Sequence, residues 1–187
     1  MPQLSTLTIR RISLDDADTI AALHAASWRR AYRGILADSY LDADLEAERR
    51  GVWRAKLSNR HDGSLGWLAH LGYSPAGFVF VRPDEDATWG TLVDNLHVLA
   101  AHQGLGIGRQ LLHTVGSWGC AHATGAPVHL WVFADNHAAR GFYAHAGGRE
   151  VERIDREASD GRMLPEYRVA WESPIALQSA TRDARRS

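Results

Sequence analysis

The hexamer Gln103-Gly104-Leu105-Gly106-Ile107-Gly108 has the composition and the setting of an anion cradle. It follows an apolar run, Leu92 to Leu99, that reads as a strand. It opens a helical stretch, Arg109 to Ala123, with apolar residues at Ile107, Leu111, Val115 and Trp118. A glycine-rich turn at a helix N-terminus offers unpaired N–H groups and the positive end of the helix dipole, and glycines let a phosphate approach the backbone. Two well-known phosphate binders fail on spacing. A P-loop needs Gly-Lys and then Ser or Thr, whereas Gly108 is followed by Arg109 and Gln110. A dinucleotide fingerprint needs G-x-G-x-x-G and an acid about 20 residues on. Here the pattern is G-x-G-x-G, and residues 124–128 carry no acid.

The pattern that fits is Q-x-x-G-x-G after a strand, with Val98 five residues before Gln103. Downstream, Val128 to Phe133 reads as the next strand, followed by Asn136-His137-Ala138-Ala139-Arg140-Gly141-Phe142-Tyr143 and a closing Ala146-Gly147-Gly148. Upstream stands Ser27-Trp28-Arg29-Arg30-Ala31-Tyr32-Arg33-Gly34-Ile35-Leu36. Together, from about Thr8 to Trp171, these blocks resemble the GNAT superfamily of N-acetyltransferases. The chain departs from the commonest pattern at Ala100, where proline is usual, and at Leu105, where a basic residue often sits.

The resemblance implies acetyl-CoA as co-substrate, with no metal, and a primary amine as acceptor. It implies that Gln103, Gly104, Leu105, Gly106, Ile107, Gly108 and Arg109 cradle the CoA pyrophosphate through the backbone. Leu96, His97 and Val98 would pair with the pantetheine arm as with an added strand. Asn136 is open to two readings, since asparagine is also a favoured helix N-cap. Tyr143 would be the catalytic acid: an unperturbed phenol, which titrates near pH 10, stays protonated at neutral pH and can donate to a thiolate whose conjugate acid lies at about 8.5. The general base is less defined. Asp94 is the only acid on the strand before the loop, and it interrupts the apolar positions Leu92, Leu96 and Val98, so it is either aimed inward or carried on a bulge. His97 is the other candidate base. Trp28 and Tyr32, four apart on one helix face, would wall the acceptor site, with Asp38, Asp42 and Asp44 favouring positive charge there.

The elements that must position these groups follow from periodicity. Strands are expected at Thr8–Ile12, Leu65–Leu71, Gly77–Arg82, Leu92–Leu99, Val128–Phe133, Val151–Ile154 and Tyr167–Trp171. Helices are expected from Asp15 to Trp28, from Asp44 to Leu57, after the glycine loop and after Asn136. Pro83–Ala87 and Asp155–Met163 read as loops. The resemblance implies the GNAT fold: a mixed, mostly antiparallel sheet flanked by helices in the order β-α-α-β-β-β-α-β-α-β-β. Residues 1–172 would form one domain, and residues 173–187 a mobile tail.

With 187 residues, 45% hydrophobic and 23% charged, the chain is of ordinary globular composition. A formal net charge of −1 gives no broad footprint for nucleic acid. No apolar run reaches the roughly 18 residues needed to span a membrane, and the start has no secretory signal pattern. The single cysteine, Cys120, cannot form an internal disulfide, which suits a reducing cytoplasm, and its helical position predicts a buried small residue. The ten histidines are scattered without metal-ligand spacing. A small-molecule amine is the expected acceptor, and a homodimer is compatible with the sequence. The alternatives are a non-catalytic acyl-CoA-binding sensor and a protein or peptide N-acetyltransferase.

Overall fold

The computed structural model describes residues 6–59, 63–122 and 125–182. Seven strands are present there: β1 (Leu7–Arg11), β2 (Leu65–Leu71), β3 (Ser74–Asp86), β4 (Gly90–Val98), β5 (Val128–Phe133), β6 (Arg149–Glu157) and β7 (Met163–Trp171). They join in one sheet of order β1-β2-β3-β4-β5-β7-β6. Every neighbouring pair is antiparallel except β4 with β5. The helices are α1 (Ala17–Ala31), α2 (Asp38–Leu41), α3 (Leu45–Ser58), α4 (Ile107–His122), α5 (His137–His145) and α6 (Pro174–Thr181). The expected order of elements is present, with two additions: the single-turn α2 and the C-terminal α6.

The alternation along β3 shows how the layers form. Phe78 and Phe80 join Ile20, Leu23, Trp53 and Leu57 under α1 and α3. Val79 and Val81 join Ile107, Leu111 and Val115 of α4 on the opposite face. A strand covered on both faces reads as a continuous apolar run, and Phe78-Val79-Phe80-Val81 is one. Asp44 starts α3 by accepting the Ala47 N–H at 3.1 Å, the role of an N-cap.

The structure revises several boundaries. Ser173 does not begin a mobile tail: its hydroxyl accepts the Ala176 N–H at 3.2 Å and caps α6, with Pro174 in the first turn. α6 packs on α4 with Leu177 and Thr181 fully buried. The approach is so close that a Cβ on Gly116 would lie 2.7 Å from the Gln178 nitrogen. Residues 183–187 of the expected tail lie outside the described residues. Cys120 is exposed, because it sits on the flank of α4 rather than on its apolar stripe. Residues 83–86 continue β3 instead of starting a loop, and β6 and β7 form a longer hairpin than expected. β6 is an edge strand of sequence REVERIDRE, and its charges, which protect an edge from further pairing, hid its strand period. Among the described residues no helix is long and apolar enough to cross a membrane.

Candidate functional site

β4 and β5 pair only at Thr91↔Val128 and Leu92↔His129. Beyond Leu92 they separate, and among the described residues no strand covers the cleft edge of β4 from Val93 to Val98. A bulge accompanies the divergence. Phe80 faces Asn95 while Val81 faces Val93, which leaves Asp94 without an opposite residue. A bulge bends its strand and puts two successive side chains on one face, so Asp94 and Asn95 both point to the α3 side. The Leu99 N–H bonds the Ala76 carbonyl of β3 at 2.9 Å. Because backbone direction alternates along a strand, Leu96 and Val98 present their N–H and C=O groups to the cleft. His97 turns its own toward β3.

The glycine loop runs from the end of β4 into α4. The Gln103 amide donates to the Val98 carbonyl at 3.2 Å and ties the loop to the strand. Gly104 and Gly106 have φ of +77° and +79°, and a Cβ on either would meet nothing within 4 Å, so glycine is required there by conformation. Gly108 differs: a Cβ would lie 3.1 Å from the Phe142 ring of α5. Leu105 is exposed at the tip and Ile107 is buried. The Arg109 side chain turns away from the loop and donates to the Ala180 and Thr181 carbonyls at 2.7 and 3.3 Å, covering the C-terminal end of α6. Only its backbone remains for an anion at the loop. Asn136 caps α5, its side-chain oxygen accepting the Ala139 N–H at 3.2 Å.

Where β4 and β5 part lies a cavity of about 230 Å³. Trp28 and Tyr32 of α1 reach it from one side, Tyr143 of α5 from another, and Asp94 and His97 from β4. Tyr143 is buried, its ring edge-on to Phe142 and Trp171 at 5.3 and 6.4 Å. Burial, and then the neighbouring Tyr32, raise its pKa above the ordinary phenol value, so it is protonated at neutral pH. The Asp94 Oδ2 is held in an ion pair with Lys56 and accepts from the Asn95 amide at 2.8 Å. The His97 Nδ1 lies 3.0 Å from the Ser27 hydroxyl, and burial pushes the ring down to about 3, so it is neutral at physiological pH and a poor proton acceptor. Asp38 and Asp42 do not colour the cavity as expected. Both pair with Arg33, and Asp44 is spent on capping α3.

Two cavity residues escaped the sequence reading. Glu166 of β7 stands opposite Phe133 of β5. No group among the described residues donates a hydrogen bond to its carboxylate, and its buried Oε2 has the Arg156 guanidinium at 3.6 Å as its ion-pair partner. Burial raises the pKa of Glu166, with Arg156 acting in the opposite direction. Arg156 lies on β6 with its guanidinium 4.4 Å from the Trp131 ring centroid. The only trace in the sequence is an acid two residues before Arg168, on the face opposite Tyr167 and Val169.

A family profile described as the acetyltransferase (GNAT) family matches residues 20–147. The chain is 31% identical over 150 residues to a probable N-acetyltransferase, Rv2775, of Mycobacterium tuberculosis, covering 78% of this chain and 83% of that protein. Its fold is similar to that of a GCN5-related N-acetyltransferase from Rhodopseudomonas palustris, with a TM-score of 0.70 at 22% identity over 91% of this chain and 98% of that one. PaiA N-acetyltransferase from Thermoplasma acidophilum, solved in complex with coenzyme A, is similar with a TM-score of 0.65 at 17% identity, covering 86% and 98%.

Proposed function

The chain belongs to the acetyltransferase (GNAT) family, and from that premise we propose that it transfers an acetyl group from acetyl-CoA to the primary amine of a small molecule. One observation carries this reading: the parting of β4 and β5 brings a protonated phenol and a carboxylate with no hydrogen-bond donor to one cavity, beside an open strand edge. The coenzyme A in PaiA supports the choice of co-substrate. With a single cysteine, Cys120, the chain suits a reducing cytoplasm.

Acetyl-CoA supplies an activated acyl carbon on a thiolate leaving group. The backbone N–H groups from Gly104 to Arg109, at the start of α4, hold the pyrophosphate, while the Gln103 N–H is already donated to the Ala100 carbonyl at 3.3 Å. Leu96 and Val98 hold the pantetheine arm along the cleft edge, and the Val98 N–H donates to the acyl carbonyl as negative charge develops on it. Glu166 takes a proton from the acceptor ammonium and passes it to solvent. Tyr143 protonates the departing sulfur and is reprotonated from the second proton that the nitrogen loses. The base role falls to Glu166 rather than Asp94, because Lys56 and Asn95 already hold the Asp94 Oδ2. Asp94 instead ties the β4 bulge to α3. Asn136, occupied as a cap, sets the start of the helix that carries Tyr143.

The deciding experiment is thiol release from acetyl-CoA across a panel of small amines. Binding of acetyl-CoA without thiol release from any amine or peptide would make the protein an acyl-CoA sensor. Acetylation of peptides alone would remove the small-molecule acceptor and keep the chemistry.

Two variants test the walls of the site. Gly106→Val forces a β-branched residue to φ near +79°, a strain of about 1–3 kcal/mol that the loop relieves by moving its N–H groups. Calorimetry is expected to show acetyl-CoA affinity weakened at least about tenfold. Undiminished affinity in the folded variant would take the loop out of the site. Trp28→Ala removes an aromatic wall that lies 5.4 Å from Tyr32. Its Michaelis constant for the amine is expected to rise about tenfold or more, against little change for acetyl-CoA. Equal increases for both would show that Trp28 serves packing.

A further inference from the structure

Two arginines flank Trp131, each with its guanidinium carbon 4.4 Å from the ring centroid, and they differ in what else they touch. Arg168 is nearly buried, with its Nε engaged by Glu152 at 2.7 Å and its Nη1 by His129 Nδ1 at 3.0 Å and Asp86 at 3.4 Å. Arg156 lines the cavity with its side chain about half exposed, and none of its guanidinium N–H groups has an acceptor within hydrogen-bonding distance among the described residues. Its one ion-pair partner, the Glu166 Oε2, stands at 3.6 Å. The guanidinium lies over the Trp131 ring with its N–H donors unengaged, and a guanidinium fork grips a planar carboxylate through two parallel bonds.

We propose that the acceptor is a free α- or β-amino acid. Its carboxylate is held by Arg156, and its amine is placed at Glu166. The spacing of the two protein groups sets the class. A cation and an anion 3.6 Å apart are matched by an amine and a carboxylate separated by one or two carbons. Trp28, Tyr32 and Phe133 add aromatic walls, and Asp94, Asn95, His97 and Ser159 add polar ones. A polyamine would set its second ammonium against Arg156, and a simple amine would leave the guanidinium fork unused. Glu157, also at the cavity and exposed like Arg156, makes no ion pair with the guanidinium among the described residues.

This assignment rests on the acetyl-transfer reading for the role of Glu166, so its test has one arm that needs no turnover. Thiol release is measured with L-phenylalanine, L-leucine, phenylalaninamide, 2-phenylethylamine and spermidine. Phenylalanine is expected to exceed 2-phenylethylamine in kcat/KM by at least about tenfold, mainly through KM. Arg156→Met, which keeps an apolar stem on Trp131, is expected to collapse that ratio by about 10–100-fold. Arg156→Lys is expected to fall between, because it keeps the charge and loses the fork. In the second arm, phenylalanine is titrated calorimetrically into the CoA-saturated protein, where Arg156→Met is expected to abolish the binding heat. A wild-type preference for 2-phenylethylamine or spermidine, or an unchanged ratio in Arg156→Met, overturns the proposal. Amino-acid binding that depends on Arg156, without thiol release from any acceptor, overturns the transfer reading and leaves this one standing. Neither binding nor release overturns both.

Discussion

Tyr143→Phe is expected to keep the affinity for acetyl-CoA and to lower turnover by about 10²–10⁴-fold, the range usual for loss of a general acid. The two effects separate because the ring and the hydroxyl do different things. The ring packs against Phe142 and Trp171, contacts that phenylalanine reproduces. The hydroxyl reaches the cavity, and no group among the described residues hydrogen-bonds it, so its removal leaves no orphaned partner in the fold. Burial keeps the phenol protonated across the physiological range, as a proton donor to sulfur requires. Thermal melting should therefore match the parent protein while the single-turnover rate falls. An unchanged single-turnover rate would reassign Tyr143 to packing.

Glu166→Gln is expected to produce a loss of similar size, about 10²–10⁴-fold, with a distinct pH signature. The carboxylate must be ionised to accept a proton, so activity rises with pH through the Glu166 pKa. Burial lifts that limb above the usual glutamate value of about 4.3, and Arg156 partly opposes the lift. Glutamine abolishes the limb. Stability moves the other way. A carboxyl whose pKa is raised by folding contributes stability while it is protonated. That contribution is lost as pH rises from the unfolded value through the folded one. At neutral pH the native protein therefore carries the cost of a buried charge, which glutamine removes. The variant should be inactive yet at least as stable as its parent. A Glu166→Gln protein with the parent's pH–rate profile would return the base role to Asp94 or to solvent.

What could be read before the structure was local. The run from β4 through the glycine loop into α4 is continuous in sequence. A strand period, three glycines and a helical stripe ending at Trp118 therefore reveal it together. The Asn136-to-Tyr143 segment is legible for the same reason. Asp94 stood out because it breaks an apolar alternation, and the bulge found there is one of the two explanations that break allowed. Helix α6 is hidden in the sequence because its apolar residues fall on both faces, Ile175 exposed and Leu177 buried, and its packing depends on small residues of α4, which carry no period of their own.

The family, the run of elements from β1 to β7 and the place of the glycine loop are legible in the chain alone, since each rests on neighbours in sequence. Which charges meet at the cavity depends instead on packing between distant segments. Glu166 and Arg156 reach Tyr32 and Tyr143 because β7 inserts between β5 and β6, an insertion that no local period encodes. The same packing turned Arg109 toward α6, engaged Asp94 with Lys56 and held His97 neutral. Burial and pairing set the proton affinity of a side chain, and both depend on residues distant in sequence.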